Sequence, residues 1–504
     1  MVRLISRFAA HDWIPVGVAV WATVLAVVPS IPVKCSAAAL LCGPSFACWI
    51  LSHTDRWLVA FLLCSILLPP LPIPIGDSGP HVAVLLLPLG AVAASLRPLQ
   101  WRLWIHPISK WLLLFSGSLI VSLAFAAIYS GPLIALGSAV RVALFLIGPA
   151  LFFYILGRRT FSLNLARILF YAALAGALFA CVDFYVQFPA PAGYGEQFVW
   201  LDGAVLRRAQ GVFYEASTLG NFCAFFLVMA LVTFVSSRDA RPCSRIAAAV
   251  GSLVLGAALI FSYSRGSLLN VGCACLALIC LRVRNARAVV AIALVLTCAL
   301  LSVHYVFPAF GENYWTRIQG SFLYVQSAPN GVLSGRLLSW SDVLEFAELH
   351  PWQTLLGVGY KTLPYSAVAG HVLVVDNTFL DLLIETGALG LFTFVALNSQ
   401  ILKFGFRAAR SKNGRTAFYG TWIFCFWVGE IAQMFTGDLI TYWRVLPIYF
   451  TVLAMAIRDD KSVESESLAS TAAAKFPSPE FRSLEALRQP SRSRWTSRVT
   501  RAGA

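Results

Sequence analysis

The residues able to do chemistry in this chain come in short polar stretches set between long apolar ones. They are Arg207 and Arg208 with Glu215, then Arg265, then Arg336, and finally Asp376 and Asn377 with His371 nearby. Guanidinium groups bind a diphosphate through paired hydrogen bonds and stay charged at every relevant pH. A carboxylate such as Asp376 or Glu215 can take a proton from an attacking hydroxyl, or orient it. Arg265 is the sharpest candidate. It lies in FSYSRGSLLN between two apolar runs, with Ser262, Tyr263 and Ser264 as polar company and Gly266 allowing a tight turn. An arginine at a membrane boundary is costly unless paired or useful, and the plain alternative is an anchor that snorkels to the interface. Arg141 lies inside the apolar run LGSAVRVALF, and Asp183 lies in the next run. A structural pair between these two and a ligand-binding role both stay open. Glu430 and Gln433 in a late span raise the same question.

Membrane helices must position these residues. Of 504 residues, 59% are hydrophobic and 12% charged, against about 25% charged in soluble domains. A mean hydropathy of +0.76 and apolar runs long enough to cross ~30 Å of hydrocarbon define an all-α, polytopic integral membrane protein. Spans fall near 13–29, 35–51, 57–72, 81–96, 111–130, 132–156, 165–188, 217–235, 246–263, 266–281, 288–306, 377–402, 417–435 and 443–457. The expected count is about 14 transmembrane helices, within a range of about 12 to 14. Arg3 and Arg7 ahead of the first run fit a retained signal anchor, given the many spans behind it.

Charge orients the chain. The net charge of +15 is parcelled into short loops between spans, which argues against a nucleic-acid partner and for the positive-inside pattern. Arg3/Arg7, Arg56, Arg97–Lys110, Arg158/Arg159/Arg167, Arg238/Arg241/Arg245, Arg282/Arg284/Arg287 and Lys403–Arg415 all fall on one side in this span count. Both termini are therefore expected in the cytoplasm, and the loops 189–216 and 307–376 outside. No DxD or comparable carboxylate pair occurs in those outer loops, which argues against metal-dependent nucleotide-sugar chemistry. In SGRLLSWSDVLEFAELHP, Leu337, Trp340, Leu344 and Ala347 recur at three- and four-residue steps. That spacing predicts an amphipathic helix with Ser334 as N-cap, ended at Pro351, that lies on the membrane or roofs a cavity. No cysteine lies between Phe307 and Asp376, and the twelve cysteines sit almost entirely inside or beside apolar segments as small core residues. The regions read as 1–188, N-terminal helices; 189–402, the candidate catalytic region; 403–458, C-terminal helices; and 459–504, a disordered cytoplasmic tail rich in arginine that can touch anionic lipid.

Arginines at an outer membrane face suit a lipid-linked diphosphate sugar, because transfer of its glycan needs charge stabilisation on the departing diphosphate and a base for the attacking hydroxyl. Four segments then show a resemblance. RRAQGVFYEASTLGNF (207–222), FSYSRGSLLNV (261–271), SGRLLSWSDVLEFAELHPWQTLLGVGYKTLP (334–364) and DNTFLDLLIETGALGLFTF (376–394) resemble the O-antigen ligase/polymerase family of bacterial envelope enzymes. The resemblance implies a metal-independent, cofactor-free glycosyltransferase of the inner membrane. It would move glycan from undecaprenyl diphosphate to a glycan, a lipid A core or a protein on the outer side. Partners of this kind are membrane lipids, a chain-length regulator and a flippase. Asn377, Gly387 and Gly390 keep the spacing of the family's ligase motif, but Asp376 stands where ligases carry histidine, and His371 is five residues too early by register. That difference, with FYEAST and YSRGS, looks more like the polymerases, which join repeat units of O-antigen or exopolysaccharide. In this reading Arg265, Arg336 and Asp376 are catalytic. Arg207, Arg208, Glu215, Asn377, His371 and Arg141 contact the substrate. Attachment of finished glycan is the alternative within the same chemistry. A lipid-linked oligosaccharide flippase is the rival class, and the long loop 307–376 with its helix argues against it.

Overall fold

Hydropathy, caps and prolines decide where the helices of this chain run. The computed structural model describes residues 43–51, 55–71, 81–96, 106–157, 164–189, 195–201, 204–282, 336–368 and 375–475, with Glu312, Trp315, Thr316 and Gln319. In order, the helices are α1 (Arg56–Leu67), α2 (Val82–Leu85), α3 (Leu87–Leu96), α4 (Pro107–Ser130), α5 (Pro132–Leu156), α6 (Leu165–Val186), α7 (Ala216–Val235), α8 (Arg245–Phe261), α9 (Arg265–Arg282), α10 (Arg336–Leu349), α11 (Pro351–Leu356), α12 (Thr378–Glu385), α13 (Gly387–Ala409), α14 (Gly414–Met434) and α15 (Leu446–Lys475). An antiparallel hairpin, β1 (Phe198–Leu201) and β2 (Ala204–Arg207), pairs Phe198 with Arg207. The expected all-α fold thus gains one small ribbon in the loop 189–216.

Caps are polar residues that meet the orphan N–H groups of a helix start. Asn164, Ser244 and Asn413 do this for α6, α8 and α14, and His106 Nδ1 accepts from Ile108 N ahead of Pro107 at the start of α4. Five helices (α4, α5, α6, α7 and α13) are long and apolar enough to cross a membrane, and four apolar helices are shorter. The expectation of about 14 spans is not reached among the described residues, and the runs 13–29 and 288–306 lie outside them.

The centre of the bundle is α7, buried over 89% of its apolar window, packed with α8, α9 and α14, while α13 joins α14 to α4, on which α5 packs. At one end of the bundle gather basic residues: Arg167 Nε donates to Pro242 O at 2.7 Å, and Gly414 at the start of α14 sits against Ser237. At the opposite end Ala209 N donates to Phe261 O at 2.9 Å, and the Arg444 guanidinium donates to Val212 O at 2.5 Å and to Ser65 O and Leu68 O at 2.8 and 2.7 Å. Those bonds tie α1, α6–α7, α8–α9 and α14–α15 into one platform.

On that platform lies the segment 336–368. Val343 and Phe346 of α10 bury with Val358, Leu363, Val375 and Ile384 in a small core of their own. The helix forms as expected, but its face is rotated. Trp340, Val343, Phe346 and Ala347 turn inward, whereas Leu337 and Leu344 are 40% and 52% exposed. Val343 and Phe346 supply a seam that the first spacing did not contain. Ser334 lies outside the described residues. A second correction concerns 377–402, expected as one span. Thr386–Gly387 breaks it into α12 and the membrane-length α13. Gly387 has φ +76°, and a Cβ there would strike the Leu355 carbonyl oxygen and the Gly357 backbone. Only glycine fits both the backbone angle and the approach. Gly387→Ala is therefore expected to cost more than ~1 kcal/mol, seen as a lowered melting temperature of the detergent-solubilised protein; an unchanged transition would refute this close packing.

The chain from Met1 to Ala456 groups as one compact unit, and Ile457–Ala504 as a second. Of the tail expected at 459–504, the described residues include α15 as far as Lys475, and 476–504 lie outside them. Its Ser/Ala/Glu composition tolerates helix.

Candidate active site

Two polar cavities open at the platform end of the Met1–Ala456 unit and share Asp376, Asp438 and Thr441 on a common wall. The larger, about 450 Å³, takes Arg208, Arg265 and Arg336 from three separate segments, with Glu215, Asp376 and Asp438 opposite. The other, about 350 Å³, is lined by Arg141, Lys361, Asp381, Glu385 and aromatic residues. Both volumes fall in the ~300–1,000 Å³ range of small-ligand sites.

Local sequence explains how each arginine arrives. Arg208 follows the β2 strand, and its Nε donates to Ser262 O at 2.8 Å, which ties the hairpin to the α8–α9 turn. That turn is built from hydroxyls: Ser264 Oγ meets Ser267 Oγ at 2.8 Å, and Gln433 Nε2 donates to Ser267 Oγ at 3.2 Å. Tyr263 takes a left-handed φ of +50°, which reverses the chain so that Arg265 opens α9 at the cavity. Beneath it, Asn221 and Asn270 donate to Glu430 Oε2 at 2.6 and 2.8 Å and to Gln433 Oε1 at 3.0 and 3.1 Å. This network joins α7, α9 and α14. Gln433 therefore reaches the larger cavity, while Glu430 holds the helices below it.

Arg336 opens α10 and meets Asp376 Oδ2 through Nε and Nη2, both at 3.1 Å. The Asp376 side chain is 54% exposed, so this pair contributes little to stability, ~0–1 kcal/mol. Asp376→Asn should accordingly leave thermal unfolding almost unmoved, while the general-base role expected from the sequence requires it to slow the reaction by ~10²–10⁴-fold. Parallel melting and activity measurements separate the two effects, and a fully active variant would remove Asp376 from the reaction. Glu215 stands just before the start of α7 in the same cavity, its carboxylate accepting from Thr218 Oγ1. Burial pushes its carboxyl above the ordinary glutamate range, although Thr218 and the Arg208 guanidinium oppose the shift.

The structure separates some residues that the sequence grouped. Arg207 lines neither cavity; its guanidinium meets Asp183 at 3.9 Å, Glu196 at 3.4 Å and the Phe188 carbonyl at 3.0 Å. Of the two readings open for Arg141, the pair with Asp183 gives way: Asp183 goes with Arg207, while Arg141 donates to Lys361 O at 3.1 Å and lines the smaller cavity. Asn377 is buried and serves as a cap, its Oδ1 accepting from Phe379 N and Leu380 N at 3.0 and 3.3 Å. His371 lies outside the described residues.

Sequence reasoning missed Lys361 altogether. Its ammonium meets Asp438, Asp381 and Glu385 at 2.7, 3.2 and 3.5 Å. It is brought there because Val358 N and Gly359 N donate to Ile384 O and Glu385 O, the free carbonyls at the end of α12, both at 2.9 Å. Burial alone would lower the lysine pKa, but Asp438, Glu385 and Asp381 outweigh it and hold Lys361 well above its ordinary range. The ammonium fills the place that a cation would take among these carboxylates, and among the described residues no group of three His, Cys, Asp or Glu is arranged to hold a metal ion. The available signal was two carboxylates at i and i+4, Asp381 and Glu385, on an otherwise apolar helix.

An end-on polar cleft, walled by arginines and carboxylates, thus opens above helices long and apolar enough to cross a membrane. Residues 250–395 match the family model described as O-antigen ligase. That match runs from within α8 into α13, under a third of the chain, and takes in three of the four segments that resemble the O-antigen ligase/polymerase family. No curated protein matches the chain.

Proposed function

We propose that this protein is a glycosyltransferase that polymerises polyprenyl-diphosphate-linked oligosaccharide repeats into O-antigen or exopolysaccharide at the outer face of the bacterial inner membrane. The observation carrying this reading is the convergence of Arg208, Arg265 and Arg336 on one cavity whose wall includes the Asp376 carboxylate. The arginines stabilise the charge that develops on the departing lipid diphosphate. Asp376 takes the proton of the attacking sugar hydroxyl as the new C–O bond forms and the bond from the anomeric carbon to the diphosphate oxygen breaks. Glu215, more readily protonated than an ordinary glutamate, suits a hydrogen bond to a phosphate oxygen. In this scheme the guanidiniums do what a metal does elsewhere. The basic end of the bundle faces the cytoplasm, by the positive-inside rule.

The family description favours a second reading, ligation of finished glycan to lipid A core or protein. Asp376, standing in place of the ligase histidine, is the feature that favours the polymerase. A deletion strain distinguishes them by its accumulated intermediate. Loss of a polymerase leaves single repeats on lipid outside, and loss of a ligase leaves long lipid-linked chains outside. Single repeats retained inside would point to a flippase and refute both. A chain-length regulator and a separate flippase complete the pathway in the polymerase reading.

A further inference from the structure

The two cavities differ in charge and in surface. Three guanidiniums face three carboxylates in the larger one. In the smaller, Arg141 and Lys361 face four carboxylates, Asp376, Asp381, Glu385 and Asp438. Lys361 gives its ammonium to three of these. The excess of carboxylate repels a diphosphate but accepts hydrogen bonds from neutral hydroxyls. Aromatic surface adds to this: Tyr365 lines the smaller cavity with its ring 59% exposed, and Trp443 closes another side. An exposed aromatic face beside acceptor oxygens matches a pyranose, which offers polarised C–H bonds to the ring and hydroxyls at its rim.

We infer that the smaller cavity is the acceptor-glycan subsite, with the C–H face of a neutral sugar on Tyr365 and its hydroxyls on Asp381 and Asp438. This rests on the glycosyltransferase reading above. The shared wall then has a function: an acceptor seated there directs its nucleophilic hydroxyl across Asp376 toward the diphosphate lobe. Lys361 acts as a positioning residue that holds Asp381 and Asp438 in place.

The test uses the full-length protein in nanodiscs and two probes, farnesyl diphosphate and the soluble oligosaccharide freed by mild acid from the producing strain's own lipid-linked pool. Tyr365 is exposed, so its replacement leaves the fold intact. Tyr365→Ala is expected to weaken oligosaccharide binding by about tenfold, the scale of a lost anchoring contact, with farnesyl diphosphate affinity kept within about twofold. Tyr365→Phe should bind like the wild type, and Arg265→Ala should show the reverse selectivity. Oligosaccharide that fails to bind the wild type, or that binds Tyr365→Ala equally well, overturns the subsite while diphosphate binding still stands. Farnesyl diphosphate that ignores Arg265 overturns the glycosyltransferase reading instead.

Discussion

Arg265→Ala should stop glycan chain growth while the protein still inserts at wild-type levels. Arg265 opens α9 at the arginine cavity, and a side chain at a helix start leaves the buried body of the helix untouched. Removing one preorganised donor from a developing anion costs ~10²–10³-fold in rate, and removing a full charge belongs at the upper end of that range. Arg265→Lys keeps the charge but loses the planar fork that matches phosphate, so an intermediate defect is expected. The measurement is a ladder of surface glycan beside an immunoblot of the membrane fraction. Glycan of normal length in Arg265→Ala would end the assignment of this cavity to diphosphate.

Lys361→Met should be the most destabilising single change in the site. Breaking a buried ion cluster by removing one partner costs ~3–5 kcal/mol, because the remaining charges are left uncompensated. Here one ammonium serves three carboxylates on two different segments, while the backbone bonds of Val358 and Gly359 still hold the loop to α12. In the wild type, the raised lysine pKa means the contribution is complete below lysine's ordinary pKa and is lost only as pH rises through the still higher folded value. The lysine's own share is therefore constant across the working range, although burial also raises Asp381 and Glu385. In Lys361→Met the sign is the same, but the window moves down to the titration of those carboxylates. The crowded carboxylates hold protons in the folded state, so the variant is most stable at low pH and weakens as pH rises. Thermal unfolding of both proteins at acidic and alkaline pH tests this; parallel curves would mean that Lys361 is not what balances those carboxylates.

The outline of both cavities was only partly legible beforehand. Arg208, Arg265, Arg336, Glu215 and Asp376 could be picked out because each breaks an apolar context, and a lone charge between membrane spans is conspicuous. Asn377 was equally visible but was read as a ligand contact. A capping asparagine and a binding asparagine look alike until its partners, Phe379 N and Leu380 N, are seen. Arg207 and Arg208 are neighbours in sequence, yet successive residues along an extended strand point to opposite faces. One therefore reaches Asp183 and the other the cavity.

The sequence by itself determined the helices and their alternation of charge. Partition into hydrocarbon depends on each segment's own residues, and asparagine, serine and proline mark helix starts locally. Only the tertiary structure decided which charges meet. Lys361, the Asp381/Glu385 pair of α12 and Asp438 come from three separate segments, and nothing within one segment reports the position of another. The break at Gly387 was likewise invisible, because it answers to the Leu355 carbonyl packed against it. DNTFLDLLIETGALG reads as one apolar run because hydropathy has no term for a backbone that approaches from elsewhere in the chain.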